Sequence, residues 1–205
     1  MAIISGHAGW RLVSKPLLMP LLAAGYFSQV KTSDEPKRLF VPAALFFSWL
    51  GDIFLLFEGK TLFFMFGLSS FLVAHVFYLI FFNEIIRHRS IKRQAIWLLP
   101  VLAYYFFLMW LLGSGPGPLV WPVRLYGHVI CLMLFNAIRI PGTGGKHAWQ
   151  MLAGALLFVL SDSILAIDRF HQPLANAGFL IMLTYGMAQW LITAGSAGWL
   201  RKSEV

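Results

Sequence analysis

Seven apolar stretches, each close to the length of a membrane-crossing helix, run through this sequence with little between them. They fall roughly at 12–30, 39–57, 61–82, 95–112, 119–138, 148–167 and 174–199. A helix needs about 20 predominantly apolar residues to cross the hydrocarbon core. The stretches lack the strict alternation of lipid-facing barrel strands, and a single segment in lipid satisfies its own backbone only as a helix. The predicted fold is therefore all-α, a polytopic transmembrane helix bundle with seven clear spans. With so little sequence left over, residues 1–205 read as a single transmembrane domain. Composition agrees: 59% of residues are hydrophobic and 12% charged, where soluble domains carry about 25% charged residues.

The formal net charge of +8 points to topology and not to a nucleic-acid partner. The basic residues fall between apolar stretches, as loops of a membrane protein require, and form no stripe along a soluble face. Eleven of the sixteen lie in the segments 31–38, 84–94 and 139–147 and in the C-terminal tail; Arg11, Lys15, Lys60, Arg124 and Arg169 fall on the other side. This bias predicts a multi-pass integral membrane protein with a cytoplasmic C-terminus, in the inner membrane if the source is bacterial. Residues 1–10 show neither the basic nor the apolar region of a cleavable signal peptide. One cysteine, Cys131, excludes an internal disulfide. Trp97, Trp121, Trp149 and Trp199 sit near span ends and read as interfacial anchors. Gly67, Ser69, Ser70, Ala74, Gly154, Ala155, Gly178 and Gly186 read as small packing residues.

An ionisable side chain inside a span costs a few kcal/mol and needs a partner or a purpose. Of the eight acids, Asp34, Glu35 and Glu204 lie in loops or the tail, and Glu58, Glu84 and Asp168 at span ends. Only Asp52 and Asp162 lie at depth. Ser48 precedes Asp52 by one turn, and Ser161 adjoins Asp162. His75 and Tyr78 share a helix face, as do Tyr185 and Gln189. Tyr126 and His128 point about 160° apart on one helix, so they are not expected to face one site. Lys15, followed by Pro16, opens the first span. The expectation is one wet cavity, opening outward and reaching past the midplane, that joins these groups. The alternative for the aspartates is structural, a carboxylate tying helices together or pairing with Lys15.

Other motifs fail. PGTGGK at 141–146 lacks the first glycine, the Ser/Thr and the preceding strand of a phosphate loop. His75 and His128 are the only histidines within spans, one short of a three-histidine zinc site. No metal and no organic cofactor is called for.

Five short patterns occur in order: Ser14-Lys15-Pro16; Phe47-Ser48-x-x-Gly51-Asp52; Ala74-His75-x-x-Tyr78; Gly154-Ala155-x-x-Phe158-x-x-Ser161-Asp162-x-x-Leu165-Ala166; and Tyr185-x-x-x-Gln189. From about Arg11 to Ala194 the chain thereby resembles the YhhN-like family, which includes the lysoplasmalogenases. The resemblance implies an eight-helix membrane hydrolase that cleaves the vinyl-ether bond of a lysoplasmalogen. Its products are a fatty aldehyde and glycerophosphocholine or glycerophosphoethanolamine. The family pattern has a full span before the Lys-Pro helix, which residues 1–10 are too short to make.

Vinyl ethers hydrolyse by protonation of the β-carbon, which asks for a general acid, a carboxylate to stabilise positive charge and a held water. Asp52 and Asp162 are the expected catalytic pair, with either able to be the acid. Lys15, Ser48, His75, Tyr78, Tyr126, Ser161, Tyr185 and Gln189 are the expected supporting and substrate-orienting groups, Lys15 meeting the lipid phosphate. The expected partners are a lysophospholipid and the bilayer, with no nucleic acid; oligomeric state is not legible. Two other readings fit the same residues: a small proton-coupled transporter, or a metal-dependent lipid hydrolase using His75, His128 and the aspartates.

Overall fold

A computed structural model describes the backbone of residues 5–30, 36–57, 61–88 and 95–203, and the side chains of 17–30, 37–57, 61–87, 95–142 and 144–201. Among the described residues seven α-helices follow in order: α1 (Ser5–Gln29), α2 (Phe40–Leu55), α3 (Thr61–His88), α4 (Leu98–Leu112), α5 (Val120–Arg139), α6 (Lys146–Phe170) and α7 (Ala177–Ser203). No strand occurs among the described residues. Six segments are long and apolar enough to cross a membrane, from Lys37–Leu55 to Ala177–Arg201; the apolar part of α1, Leu17–Gln29, is shorter among the described residues. The protein is thus a polytopic helical membrane protein.

Local chemistry sets the helix starts. Pro42, Pro100 and Pro122 each occupy the third position of their helices, α2, α4 and α5. The amide that proline lacks has no intrahelical acceptor there, so proline is tolerated. A short 3-10 turn leads into each of the three (Pro36–Leu39, Ala95–Trp97 and Gly117–Leu119). Glycines in the left-handed region break the chain at Gly113 and Gly117 after α4, and at Gly144 and Gly145 before α6.

Six helices form a closed ring in the order α1, α2, α3, α5, α6, α7, with α4 outside it against α5 and α6. The α6–α7 seam is closed by backbone. A Cβ on Gly154 would lie 2.8 Å from the Ala188 carbonyl oxygen and 2.9 Å from the Ile192 nitrogen, and one on Gly195 would lie 2.8 Å from the His147 oxygen. Without water to drive apolar surfaces together, small residues that admit close contact are what tie membrane helices. The α2–α3 seam uses ring on glycine: Phe71 fills the space where Gly51 lacks a Cβ.

One expected anchor is not an anchor. Trp97, Trp121 and Trp149 are exposed, but Trp199 is 5% exposed, with the Lys37 ammonium over its ring and its edge against Phe81. Near the basic end of the bundle, lysine thus covers the indole face and satisfies it by cation–π attraction.

Closing the α6–α7 seam with side chains must push the helices apart. Gly154→Val is expected to destabilise the detergent-solubilised protein by about 1–3 kcal/mol, read as a lower thermal midpoint. Gly25→Ala, where a Cβ meets nothing within 4 Å, should leave that midpoint unchanged or slightly raised.

Candidate active site

The ring places its polar side chains inward from α2, α3, α5, α6 and α7, and they sort into two groups. The first surrounds Asp52, which lies in the last turn of α2 and is 4% exposed. The Tyr185 hydroxyl donates to Asp52 Oδ2 at 2.9 Å. One turn along, the Gln189 amide donates to the Ser48 hydroxyl at 2.9 Å, and the Tyr78 hydroxyl donates to Gln189 Oε1 at 2.5 Å. Three helices are thereby joined through one glutamine, whose two ends serve as donor and acceptor.

The second group surrounds Asp162 on α6, whose side chain keeps 17% of its surface. The Tyr126 hydroxyl on α5 donates to Asp162 Oδ2 at 2.5 Å, and His75 Nε2 on α3 stands 3.7 Å from the same oxygen. The other ring nitrogen, Nδ1, is 2.6 Å from the Phe71 carbonyl. A carbonyl can only accept, so Nδ1 carries the hydrogen and neutral His75 presents a bare Nε2. That atom is buried and makes no hydrogen bond.

Two phenylalanines stand between the groups. Phe71 packs edge-on against Tyr185 while its carbonyl fixes His75. Phe158 touches His75, Tyr78 and Tyr185 with ring edges, at centroid distances of 4.5, 6.4 and 5.5 Å. An apolar cavity begins at Asp162 and Tyr126 and is walled by Phe71, Leu68 and Leu165; it reaches helix ends at Leu55, Phe64, Val123 and Phe170. Asp52, Ser48, Tyr78, Tyr185 and Gln189 do not line it. The expected single cavity thus differs from the observed site. Phe71 and Phe158 separate a sealed Asp52 network from an Asp162 group that meets open space.

A second groove lies on the membrane-facing side between α3 and α5, lined by Met65, Leu68, Ser69, Leu72, Trp121, Pro122, Leu125 and Tyr126. Leu68 and Tyr126 belong to both spaces, so those two side chains are the partition between groove and cavity.

Other expected residues fall differently. The Ser161 hydroxyl donates to the Ile181 carbonyl at 3.2 Å, a link from α6 to α7 that leaves it out of the Asp162 cluster. The side chain of Lys15 lies outside the described residues. His128 is exposed on α5, hydrogen-bonded to the Arg124 carbonyl and against the Tyr105 ring, so it does not join His75. Among the described residues no three His, Cys, Asp or Glu side chains are gathered as a metal site would need. Sequence reasoning missed the separating role of Phe71, one of nineteen phenylalanines. It also missed the pairing of the Tyr104 and Ser163 hydroxyls between α4 and α6; no pattern in the sequence flags either.

Comparison with known proteins agrees with the motifs. The profile of the YhhN family matches residues 10–196. The protein named lysoplasmalogenase TMEM86B of Homo sapiens is 34% identical over 85% of this chain and 71% of its own length. Its Mus musculus counterpart of the same name is 35% identical over 84% and 70%. A Mycobacterium tuberculosis protein named lysoplasmalogenase is 29% identical over 94% and 72%. No solved structure matches. With a family profile spanning nearly all of its length and Ser48, Asp52, His75, Tyr78, Asp162, Tyr185 and Gln189 facing the inside of the helix ring, the chain belongs to the YhhN family.

Proposed function

We propose that this protein is a lysoplasmalogenase: it hydrolyses the vinyl ether of a lysoplasmalogen to a fatty aldehyde and a glycerophospho-alcohol, with Asp162 transferring the proton. The observation that carries this reading is a carboxylate at the inner end of an apolar cavity, with both its described contacts on Oδ2. The names of the relatives point to the same reaction.

In this reading the substrate is a lysophospholipid drawn from the surrounding bilayer. Its alkenyl chain lies along the α3–α5 groove and passes Leu68 and Tyr126 to bring the double bond to Asp162. The carboxyl proton goes to the β-carbon, the π pair forming the new C–H bond. The resulting oxocarbenium ion faces the carboxylate, which stabilises it as an opposite charge in a dry site. Water adds to the α-carbon and gives a proton to His75 Nε2, leaving a hemiacetal. That hemiacetal collapses as its C–O bond to glycerol breaks, the alcohol leaving with a proton and the aldehyde forming. His75 then returns that proton to Asp162 for the next turnover. Its bare Nε2 and Asp162 Oδ2 would oppose lone pair to lone pair unless one proton lies between them. Asp52, sealed behind Phe71, acts from a distance by holding Tyr185. Among the described residues, Lys37, Arg38, Arg87, Arg139, Lys146 and Arg201 lie at the helix ends away from the cavity mouth, which supports a cytoplasmic C-terminus and a site reached from the other side.

Incubation with a lysoplasmalogen, its saturated alkyl-ether analogue and its acyl analogue tests the reaction. Aldehyde should form from the vinyl ether alone; equal turnover of the acyl lipid would overturn the assignment. In heavy water the aldehyde should carry one deuterium on the carbon next to the carbonyl, read by mass spectrometry under rapid quenching. Asp162→Asn should reduce turnover at least about 100-fold while the protein elutes as a folded species in detergent, and full activity would remove Asp162 from the chemistry. Asp52→Asn is also expected to abolish aldehyde release. Leu68→Trp should narrow the passage between groove and cavity and shift preference to shorter alkenyl chains, measured across a chain-length series.

A further inference from the structure

Arg169 occupies an unusual position among the cations of this chain. It is exposed one residue before the end of α6 and makes no ion pair among the described residues. Its guanidinium lies over the Phe64 ring, 5.3 Å from the centroid. Phe64 in turn packs edge-on against Phe170, and both rings line the cavity that begins at Asp162. A cation is therefore fixed at the rim of an otherwise apolar space with a carboxylate at its inner end. The neighbouring acid makes no ion pair with it among the described residues; Asp168 Oδ1 instead accepts the Leu174 amide at 2.8 Å.

Spacing gives the position its meaning. Arg169 follows Asp162 by seven residues, which is two turns on nearly the same helix face and a rise of about 10 Å. Helical side chains lean toward the N-terminus, which for the long arginine side chain is the direction of Asp162. In a lysolipid whose vinyl ether meets Asp162, seven bonds separate the β-carbon from the phosphorus, about 8 Å when extended. The two lengths match. Arg124, the other described cation at this end, lies over Trp121 at 5.3 Å, on the groove and not on the cavity rim.

We propose that Arg169 is the headgroup-binding residue of this site, a guanidinium held over Phe64 to grip the phosphate monoanion of a lysophospholipid whose vinyl ether reaches Asp162. This rests on the function proposed above and adds a specificity to it: the phosphodiester, not the choline or ethanolamine beyond it, is what the protein recognises. The planar fork suits two phosphate oxygens at once, and Phe64 keeps it from folding away from the rim.

The test separates binding from turnover. The ligands are a saturated alkyl-ether lysophosphocholine, which has no vinyl ether to hydrolyse, and the matching alkylglycerol without phosphate, each below its micellar concentration. Binding to the detergent-solubilised protein is read by thermal shift, alongside aldehyde release from the corresponding vinyl ethers. Wild type should bind the phospholipid at least about tenfold more tightly than the alkylglycerol, the scale of one charge-assisted contact. Arg169→Gln should remove that preference and leave alkylglycerol binding unchanged; for the vinyl-ether phospholipid it should raise KM and leave kcat near wild type. Arg169→Lys should recover part of the preference, and Arg124→Gln should keep all of it. Equal loss of both ligands in Arg169→Gln, or a preference that survives the substitution, overturns the proposal. Absence of aldehyde from wild type would instead sink the vinyl-ether reaction, and the binding comparison would still decide the role of Arg169.

Discussion

Everything inside this ring depends on tyrosine hydroxyls donating to carboxylates where water is scarce. Asp52 is held by Tyr185 and Asp162 by Tyr126, and each donor comes from a different helix than its acceptor. A carboxylate buried without such a donor is expensive enough to exclude from a membrane interior. The same bonds therefore permit the acids and fix the lateral order of α2 with α7 and of α5 with α6. Chemistry and assembly are not separable here: loss of one hydroxyl removes a helix contact and a carboxylate partner together.

The two acids differ because aromatic rings divide them. Phe71 does this with both of its parts. Its side chain packs against Tyr185 on the Asp52 side, and its carbonyl orients the His75 imidazole toward Asp162. Gly51 is the complement, since any Cβ there would meet the Phe71 ring at 2.6 Å. The glycine next to Asp52 in sequence thus shapes the wall of the space that Asp162 faces.

The helices and their breaks were legible because a membrane punishes polarity at fixed intervals, and the loop glycines and prolines stand where the apolar runs stop. Asp52 and Asp162 were legible for the same reason: in a chain with 12% charged residues, an acid within a span stands out. Which tyrosine serves which acid was not, because that follows from the lateral order of helices, and apolar faces that are all alike do not encode it locally. Gln189 shared a face with Tyr185 in the sequence, yet its partners are Ser48 and Tyr78 on other helices. Trp199 misled because span ends favour exposed indoles, and only tertiary packing puts Lys37 over this one. Arg169 reads in sequence as a span-end charge; its relation to Asp162 emerges once Phe64 from another helix is placed beneath it.

The ring's seams are built from different materials. Where α6 meets α7, Gly154 and Gly195 bring backbone against backbone, and such a joint separates only by moving whole helices. Between α3 and α5 the barrier beside the cavity consists of the Leu68 and Tyr126 side chains; Tyr126 is tied to Asp162, so it is Leu68 that can clear a path by changing rotamer. The bundle has in effect a welded back and a hinged front. The space beside Asp162 communicates with the α3–α5 groove through motion of a single side chain, on its own fast timescale, while the scaffold that positions the carboxylates stays still.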